Sequence, residues 1–226
     1  LPKGETVIHN VPELTDVNIM LHVIEGLGVK TNYDKASKTV AIDSSDITSI
    51  TAKYELVSKM RASFIILGAL VTRCKEAIVA LPGGCAIGER RVDFHIKGLE
   101  ALGAEIKIEN GYVHAKAHKL VGTDIYLDIP SVGATENLML AAVLAEGSTR
   151  IQNAAQEPEI VDLANFLNAM GADVSGAGTS EIVINGVKQE DLRPIEYTTI
   201  PDRIEAATYV IMAAAMANDM RIENII

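Results

Sequence analysis

Alternating polar and apolar residues predict half-buried strands along the chain. Residues 105–108 and 181–184 both follow this pattern, which has the period of two that is typical of a strand with one buried face. Asn110-Gly111 follows the first of these segments and precedes Val113, so it predicts a tight hairpin turn. Strand signals of this kind alternate with helical ones from end to end, and no linker interrupts them. The pattern therefore predicts a mixed α+β domain.

Two kinds of helix are expected. Segments 62–71, 135–145 and 204–217 are almost wholly apolar, and a helix that is apolar on all sides is typically buried. Segments 15–28, 92–103 and 159–171 are also predicted helices, and they end at Gly28, Gly103 and Gly171, as helices often do. We therefore predict three buried helices, surrounded by strands and by three outer helices.

These elements recur about every 70 residues, which indicates an internal repeat. Segments 4–10, 147–153 and 220–224 resemble one another and mark the start of successive copies. The repeats are predicted at about 1–76, 77–146 and 147–219, each with the order strand, helix, strand, hairpin strand, strand, helix. This is a βαβαββ-type unit. Because 220–226 opens a further copy, we expect a second domain to follow these residues.

Composition narrows the possible partners. The 226 residues are 48% hydrophobic, which is enough for a substantial core, and the net charge of −10 disfavours a nucleic-acid partner. No apolar run approaches the roughly 20 residues of a membrane span, so no membrane partner is expected. Cys74 and Cys85 are too few for a disulfide framework and indicate a cytoplasmic protein. No metal site and no cofactor are predicted.

Candidate chemistry is concentrated in the glycine-rich segment 82–91. Cys85 lies close in sequence to Arg90 and Arg91, whose charges can favour a thiolate. The two arginines also precede a helix that begins near Val92, where guanidinium and backbone N–H groups bind phosphate. A glycine turn with an inert cysteine remains the alternative. The segment is not a P-loop, because Lys followed by Ser or Thr is absent after its last glycine.

Polar residues also stand where each apolar helix begins. Arg61 precedes the first, Ser131 the second, and Asp202 and Arg203 the third. If the three helix N-termini face one side, their dipoles form a cradle for anions. Ordinary capping by Ser131, Thr135 and Asp202 is the alternative interpretation.

Five motifs resemble those of the bacterial UDP-N-acetylglucosamine enolpyruvyl transferases and follow in order along the chain. They are MRAS at 60–63, LPGGCAIG at 81–88, PSVGATEN at 130–137, EPEIVD at 157–162 and PDRIE at 201–205. The cysteine motif is the most specific, because the related enolpyruvylshikimate phosphate synthases share the repeat fold but lack it. The resemblance implies an inside-out α/β barrel of two similar domains, with the active site in the cleft between them.

The resemblance also implies an activity. The enzyme would transfer the enolpyruvyl group of phosphoenolpyruvate to the 3′-hydroxyl of UDP-N-acetylglucosamine, the first committed step of peptidoglycan synthesis. An enolpyruvylshikimate phosphate synthase-like transferase and a non-catalytic nucleotide-sugar binding module are the alternatives. The family's N-terminal Lys-Asn pair and the second domain's catalytic Asp and phosphate-binding Arg residues have no match here. We therefore expect these 226 residues alone to be nearly inactive.

Residue roles follow from the same resemblance. Cys85 would donate a proton, can carry a phosphoenolpyruvate adduct and would be alkylated by fosfomycin. Arg90 would contact phosphoenolpyruvate and the nucleotide, and Arg61 would bind ligand as well. The expected uridine and diphosphate contacts are Arg91, Val92, Asp93 and Phe94, followed by Ser131, Val132 and Gly133. Asp202 and Arg203 are further candidates from the last motif. Many relatives have Pro in place of Arg91, and some have Lys in place of Ile129.

Overall fold

A computed structural model describes residues 1–83, 92–216 and 219–226. Its strands are β1 Glu5–His9, β2 Lys30–Asp34, β3 Thr39–Asp43, β4 Thr51–Ala52, β5 Glu76–Ala80, β6 Glu105–Glu109, β7 Tyr112–Lys116, β8 Asp124–Tyr126, β9 Ser148–Gln152, β10 Asp173–Ser175, β11 Glu181–Asn185 and β12 Glu196–Thr198. Its α-helices are α1 Thr15–Glu25, α2 Tyr54–Val57, α3 Ile66–Cys74, α4 Asp93–Ala101, α5 Val132–Ala142, α6 Pro158–Ala169 and α7 Arg203–Met216. Short 3-10 helices span Arg61–Ile65, directly before α3, and Gln189–Asp191.

The strands form three four-stranded sheets with the same internal arrangement. Their strand orders are β12-β1-β3-β2, β4-β5-β7-β6 and β8-β9-β11-β10. In each sheet the first two strands are parallel and the others pair antiparallel. A parallel pair needs a crossover connection, and α3 and α5 provide it between β4 and β5 and between β8 and β9. The predicted mixed α+β class and order of elements are confirmed.

The first sheet pairs the first strand of the chain with the last one among the described residues. β12 pairs parallel with β1 through the partners Val7 and Glu196, Ile8 and Tyr197, and His9 and Thr198. Each sheet therefore combines the last strand of one sequence repeat with the first strands of another. Among the described residues the three sheets remain separate and do not close into one barrel.

Backbone conformation repeats along with the elements. The glycines predicted to end the outer helices all have positive φ: +96° at Gly28, +97° at Gly103 and +107° at Gly171. A second set precedes β1, β5 and β9, where Gly4, Lys75 and Gly147 also have positive φ. The middle copy has a lysine at this position, and for that reason the match is not visible in the sequence.

Helices α3 and α5 form the centre of the core and lie in close backbone contact. A Cβ added to Gly68 of α3 would lie 2.3 Å from the carbonyl oxygen of Asn137 of α5. One turn further along, Thr72 Oγ1 donates to the carbonyl oxygen of Ala141 at 2.9 Å. Leu138 and Met139 are fully buried on α5. The prediction of buried apolar helices is confirmed for the first two repeats.

For the third repeat the prediction of a buried helix was wrong. No residue of α7 is buried, and Ile211 is 69% exposed. An apolar sequence indicates that a helix can be buried, but it does not specify which surface covers that helix. Ala217, the last residue predicted for this helix, lies outside the described residues. Within the part of the chain that the structure describes, no helix is long and apolar enough to cross a membrane.

Candidate functional site

A cavity of about 700 Å³ lies where α4 and α5 begin and where the 3-10 helix leads into α3. Six residues predicted for the site from the sequence line it: Arg61, Val92, Phe94, Ser131, Val132 and Gly133. Glu159 of α6 lines it as well. The structure therefore brings together residues from the first two repeats, together with the start of α6 in the third.

The start of α5 combines a side-chain cap with the backbone N–H groups of a helix N-terminus. Ser131 is the N-cap residue, and its hydroxyl oxygen accepts a hydrogen bond from the N–H of Ala134 at 3.4 Å. The first N–H groups of a helix have no partner within the helix, and the dipole there favours negative charge. Thr135 is not a cap, because its hydroxyl accepts from the N–H of Ala155 at 3.1 Å. Arg61 adds a positive charge to the same cavity.

The start of α7 reaches the site through an ion pair. Arg203 makes a two-pronged contact with the Glu159 carboxylate, with Nε to Oε2 at 2.9 Å and Nη2 to Oε1 at 2.8 Å. This hydrogen bonding lowers the pKa of Glu159. Asp202 has a different position: its Oδ1 accepts from the N–H of Ile204 at 2.7 Å, and the residue lines another cavity of about 550 Å³. The two candidates of the last motif are thus separated.

Three predicted site residues, Cys85, Arg90 and Arg91, lie outside the described residues. The described chain stops at Gly83, whose Cα is so close to Ser58 that an added Cβ would lie 2.8 Å from the Ser58 carbonyl oxygen. It resumes at Val92, which is the N-cap residue of α4 and lines the cavity. Asp93 is the first residue of α4. After these residues, the described chain therefore resumes at the wall of the cavity.

Two titratable residues of the cavity escaped the sequence analysis. Burial, together with the charge of Arg61, lowers the pKa of His95 to about 4. Burial and the neighbouring carboxylates of Glu159 and Glu157 raise the pKa of Glu136 to about 7. Both residues follow a predicted site residue by three positions on a helix, which places them on the same face. The spacing of three residues from Val92 and from Gly133 is the sequence signal that points to them.

The titration of Glu136 should appear in the stability of the fold. Its pKa rises from 4.5 to about 7 on folding, so between these values the folded protein holds a proton that the unfolded chain has released. The free energy of unfolding then falls as pH rises through this window. We expect Glu136→Gln, which stays neutral, to gain about 1–2 kcal/mol relative to the wild type between about pH 5 and pH 8.

Urea unfolding at both pH values measures this gain, and Glu100→Gln at an exposed position of α4 is the control. A Glu136→Gln difference that stays constant with pH would contradict the assignment.

Among the described residues, no group of three or more His, Cys, Asp or Glu side chains is placed to hold a metal ion.

Sequence comparison relates the whole chain to known proteins. The sequence model of the family described as EPSP synthase (3-phosphoshikimate 1-carboxyvinyltransferase) matches residues 1–226. UDP-N-acetylglucosamine 1-carboxyvinyltransferase 2 of Carboxydothermus hydrogenoformans is 54% identical over 226 residues, which are 100% of this chain and 53% of that protein. UDP-N-acetylglucosamine 1-carboxyvinyltransferase 1 of Caldanaerobacter subterraneus subsp. tengcongensis is 51% identical over 226 residues, again 100% of this chain and 53% of that protein. The chain thus spans about half the length of these curated relatives.

Solved structures show the same architecture. The enolpyruvyl transferase NikO from Streptomyces tendae matches with a TM-score of 0.83 and 25% identity, over 96% of this chain and 51% of that one. The EPSP synthase of Acinetobacter baumannii matches with a TM-score of 0.70 and 22% identity, over 95% of this chain and 48% of that one. The second likeness shows the shared fold alone.

Proposed function

The chain belongs to the EPSP synthase family, and on this premise we propose that it forms one domain of a UDP-N-acetylglucosamine enolpyruvyl transferase. The complete enzyme would move the enolpyruvyl group of phosphoenolpyruvate to the sugar 3′-hydroxyl and release phosphate, in the first committed step of peptidoglycan synthesis. One observation carries the proposal. Val92, the first described residue after Cys85, lines a cavity that also contains Arg61 and the start of α5.

The choice of sugar nucleotide over shikimate phosphate rests on the sequence. The relatives that are 51–54% identical over the whole chain are named as UDP-N-acetylglucosamine 1-carboxyvinyltransferases. The matching EPSP synthase structure is only 22% identical. The cysteine motif supports the same choice, because the shikimate-type enzymes lack it.

The cavity has the chemistry that such substrates require. The Arg61 guanidinium and the N-terminus of α5 at Ser131 suit the phosphate oxygens of a nucleoside diphosphate. Phe94 and Val92 provide an apolar part of the wall, which suits the uracil ring. Cys85 would protonate the methylene carbon of phosphoenolpyruvate, which makes the adjacent carbon electrophilic toward the sugar hydroxyl. Arg90 and Arg91 would bind the substrates beside it.

The other wall of the site would come from outside these residues. The chain spans 53% of its curated relatives, and we propose that the remaining half supplies the second domain and the catalytic groups that have no match here. The isolated 226 residues would then be nearly inactive. We also propose a cytoplasmic location, which the free thiol of Cys74 supports because reducing compartments preserve thiols.

Fosfomycin labelling tests the proposed function. We expect the intact protein to gain the mass of one fosfomycin molecule and to lose enolpyruvyl transfer to UDP-N-acetylglucosamine, because the Cys85 thiol would be the alkylated group. Cys85→Ala should take up no label, whereas Cys74→Ala should be labelled like the wild type. Transfer to shikimate 3-phosphate without labelling would favour the shikimate-type alternative. Binding of UDP-N-acetylglucosamine without any turnover would favour the non-catalytic module.

A further inference from the structure

A series of buried hydrogen bonds connects α3, α5 and α4 beside the cavity. The backbone N–H of Gly68 donates to Oδ1 of Asn137 at 2.6 Å. Nδ2 of Asn137 lies 2.9 Å from Nδ1 of His95. Asn137 is fully buried and His95 is 6% exposed, so bulk water competes little for these groups.

These partners determine which nitrogen of His95 carries the proton. A backbone N–H can only donate, so the Asn137 atom that faces Gly68 is the oxygen and the other is the NH2 group. That NH2 group donates to His95 Nδ1, which must therefore be unprotonated. Burial lowers the pKa of His95 to about 4, so the ring is neutral at neutral pH. The single proton of the neutral ring then lies on Nε2.

The Nε2 edge of the ring faces the start of α5. A Cβ placed on Gly133 would lie 3.5 Å from Cε1 of His95 and 3.7 Å from Nε2. Phe64 packs against the ring edge to face, with centroids 5.2 Å apart, and so helps to fix its orientation. His95, Gly133 and Arg61 all line the cavity. A neutral N–H here can bind an anionic oxygen without placing a second positive charge beside Arg61.

We propose that His95 is a ligand-binding residue whose Nε2–H donates to a phosphate oxygen of a bound nucleoside diphosphate, and that Asn137 is a positioning residue that fixes this tautomer. The identity of the ligand rests on the proposed function. The tautomer does not, since it follows from the contacts of Asn137 with Gly68 and His95.

Nitrogen-15 NMR of the imidazole tests the positioning role in the intact protein. We expect a protonated Nε2 and an unprotonated Nδ1 for His95 in the wild type. In Asn137→Asp the carboxylate still accepts from Gly68 but has no N–H for His95, so Nδ1 should become protonated. A protonated Nδ1 in the neutral wild-type ring would overturn the inference, whatever ligand the protein binds.

Calorimetric titration with UDP-N-acetylglucosamine tests the binding role through a matched pair of variants. The amide nitrogen of Gln can occupy the place of Nε2, whereas that of Asn is too short to reach it. We expect His95→Asn to bind about tenfold more weakly than the wild type and His95→Gln to recover most of the loss. His114→Asn on β7 is the control and should bind normally.

The possible results separate the two proposals. If His95→Asn binds as tightly as the wild type, the role of His95 is overturned and the proposed function stands. If the wild type binds no UDP-N-acetylglucosamine, the proposed function is overturned together with the identity of the ligand, and the NMR measurement still decides the tautomer. Thermal unfolding of each variant shows whether a loss of binding reflects a loss of folding.

Discussion

Replacing Cys85 by alanine in the intact protein is expected to lower kcat for enolpyruvyl transfer by about 10²–10⁴-fold, the range for loss of a positioned proton donor. The methyl group of alanine cannot protonate the methylene carbon of phosphoenolpyruvate. Without this proton transfer, the adjacent carbon does not become electrophilic toward the sugar hydroxyl. Binding of UDP-N-acetylglucosamine should change little, because Arg61 and the start of α5 remain. Phosphate release at saturating substrates, with mass analysis of the sugar product, measures the effect.

Cys74 provides the matched control within the same chain. It is the last residue of α3, and partial burial raises the pKa of its thiol, which keeps it protonated and unreactive. Cys74→Ala should therefore retain kcat within about twofold, since the residue does not line the 700 Å³ cavity. Equal kcat in Cys85→Ala and the wild type would remove the thiol from the mechanism and leave the non-catalytic module as the better hypothesis.

The second large effect concerns the core between the helices. Leu138→Ala should lower the free energy of unfolding by about 2–5 kcal/mol, because the side chain is fully buried and its removal leaves a cavity. Its methyl groups fill the space above Gly98 of α4: a Cβ added to that glycine would lie 2.4 Å from Leu138 Cδ2. Denaturant unfolding of the purified protein measures the loss.

Ile211→Ala on α7 is the comparison, because this helix was predicted to be buried but is exposed in the structure. At 69% exposure the side chain has little buried area to lose, so we expect a change within about 0.5 kcal/mol. A loss as large as that of Leu138→Ala would show that α7 is covered in solution. The two variants together compare the loss in free energy of unfolding at a buried position of α5 with the loss at an exposed position of α7.

Local physics explains which features the sequence could predict. Asn110 and Gly111 form the expected turn because a two-residue hairpin turn of type I′ needs positive φ at both positions, and both have it. Gly28 and its counterparts follow the ends of helices for a similar reason, since each has positive φ. The convergence of Arg61 with Ser131 could also be expected, because repeated units place equivalent helix starts on the same side.

Interactions between distant residues explain what the sequence could not predict. No sequence motif marks His95 as functional, because it is a single histidine in a helix. Its tautomer depends on Asn137 and Gly68 from two other helices. Asp202 and Arg203 are adjacent in the chain, yet one caps its own helix while the other pairs with Glu159. Such choices depend on which partner lies within hydrogen-bond distance after folding.

Periodicity and turn chemistry act over a few residues, so the repeated order of strands and helices, the turns and the motif that contains Cys85 can be recognised without a structure. The folded chain was needed to show that β12 completes the sheet of β1, that α5 is buried while α7 is exposed, and that His95 faces the cavity as a neutral donor. These outcomes depend on packing between segments far apart in the chain, where the contact surface and not the composition of one segment sets the free energy.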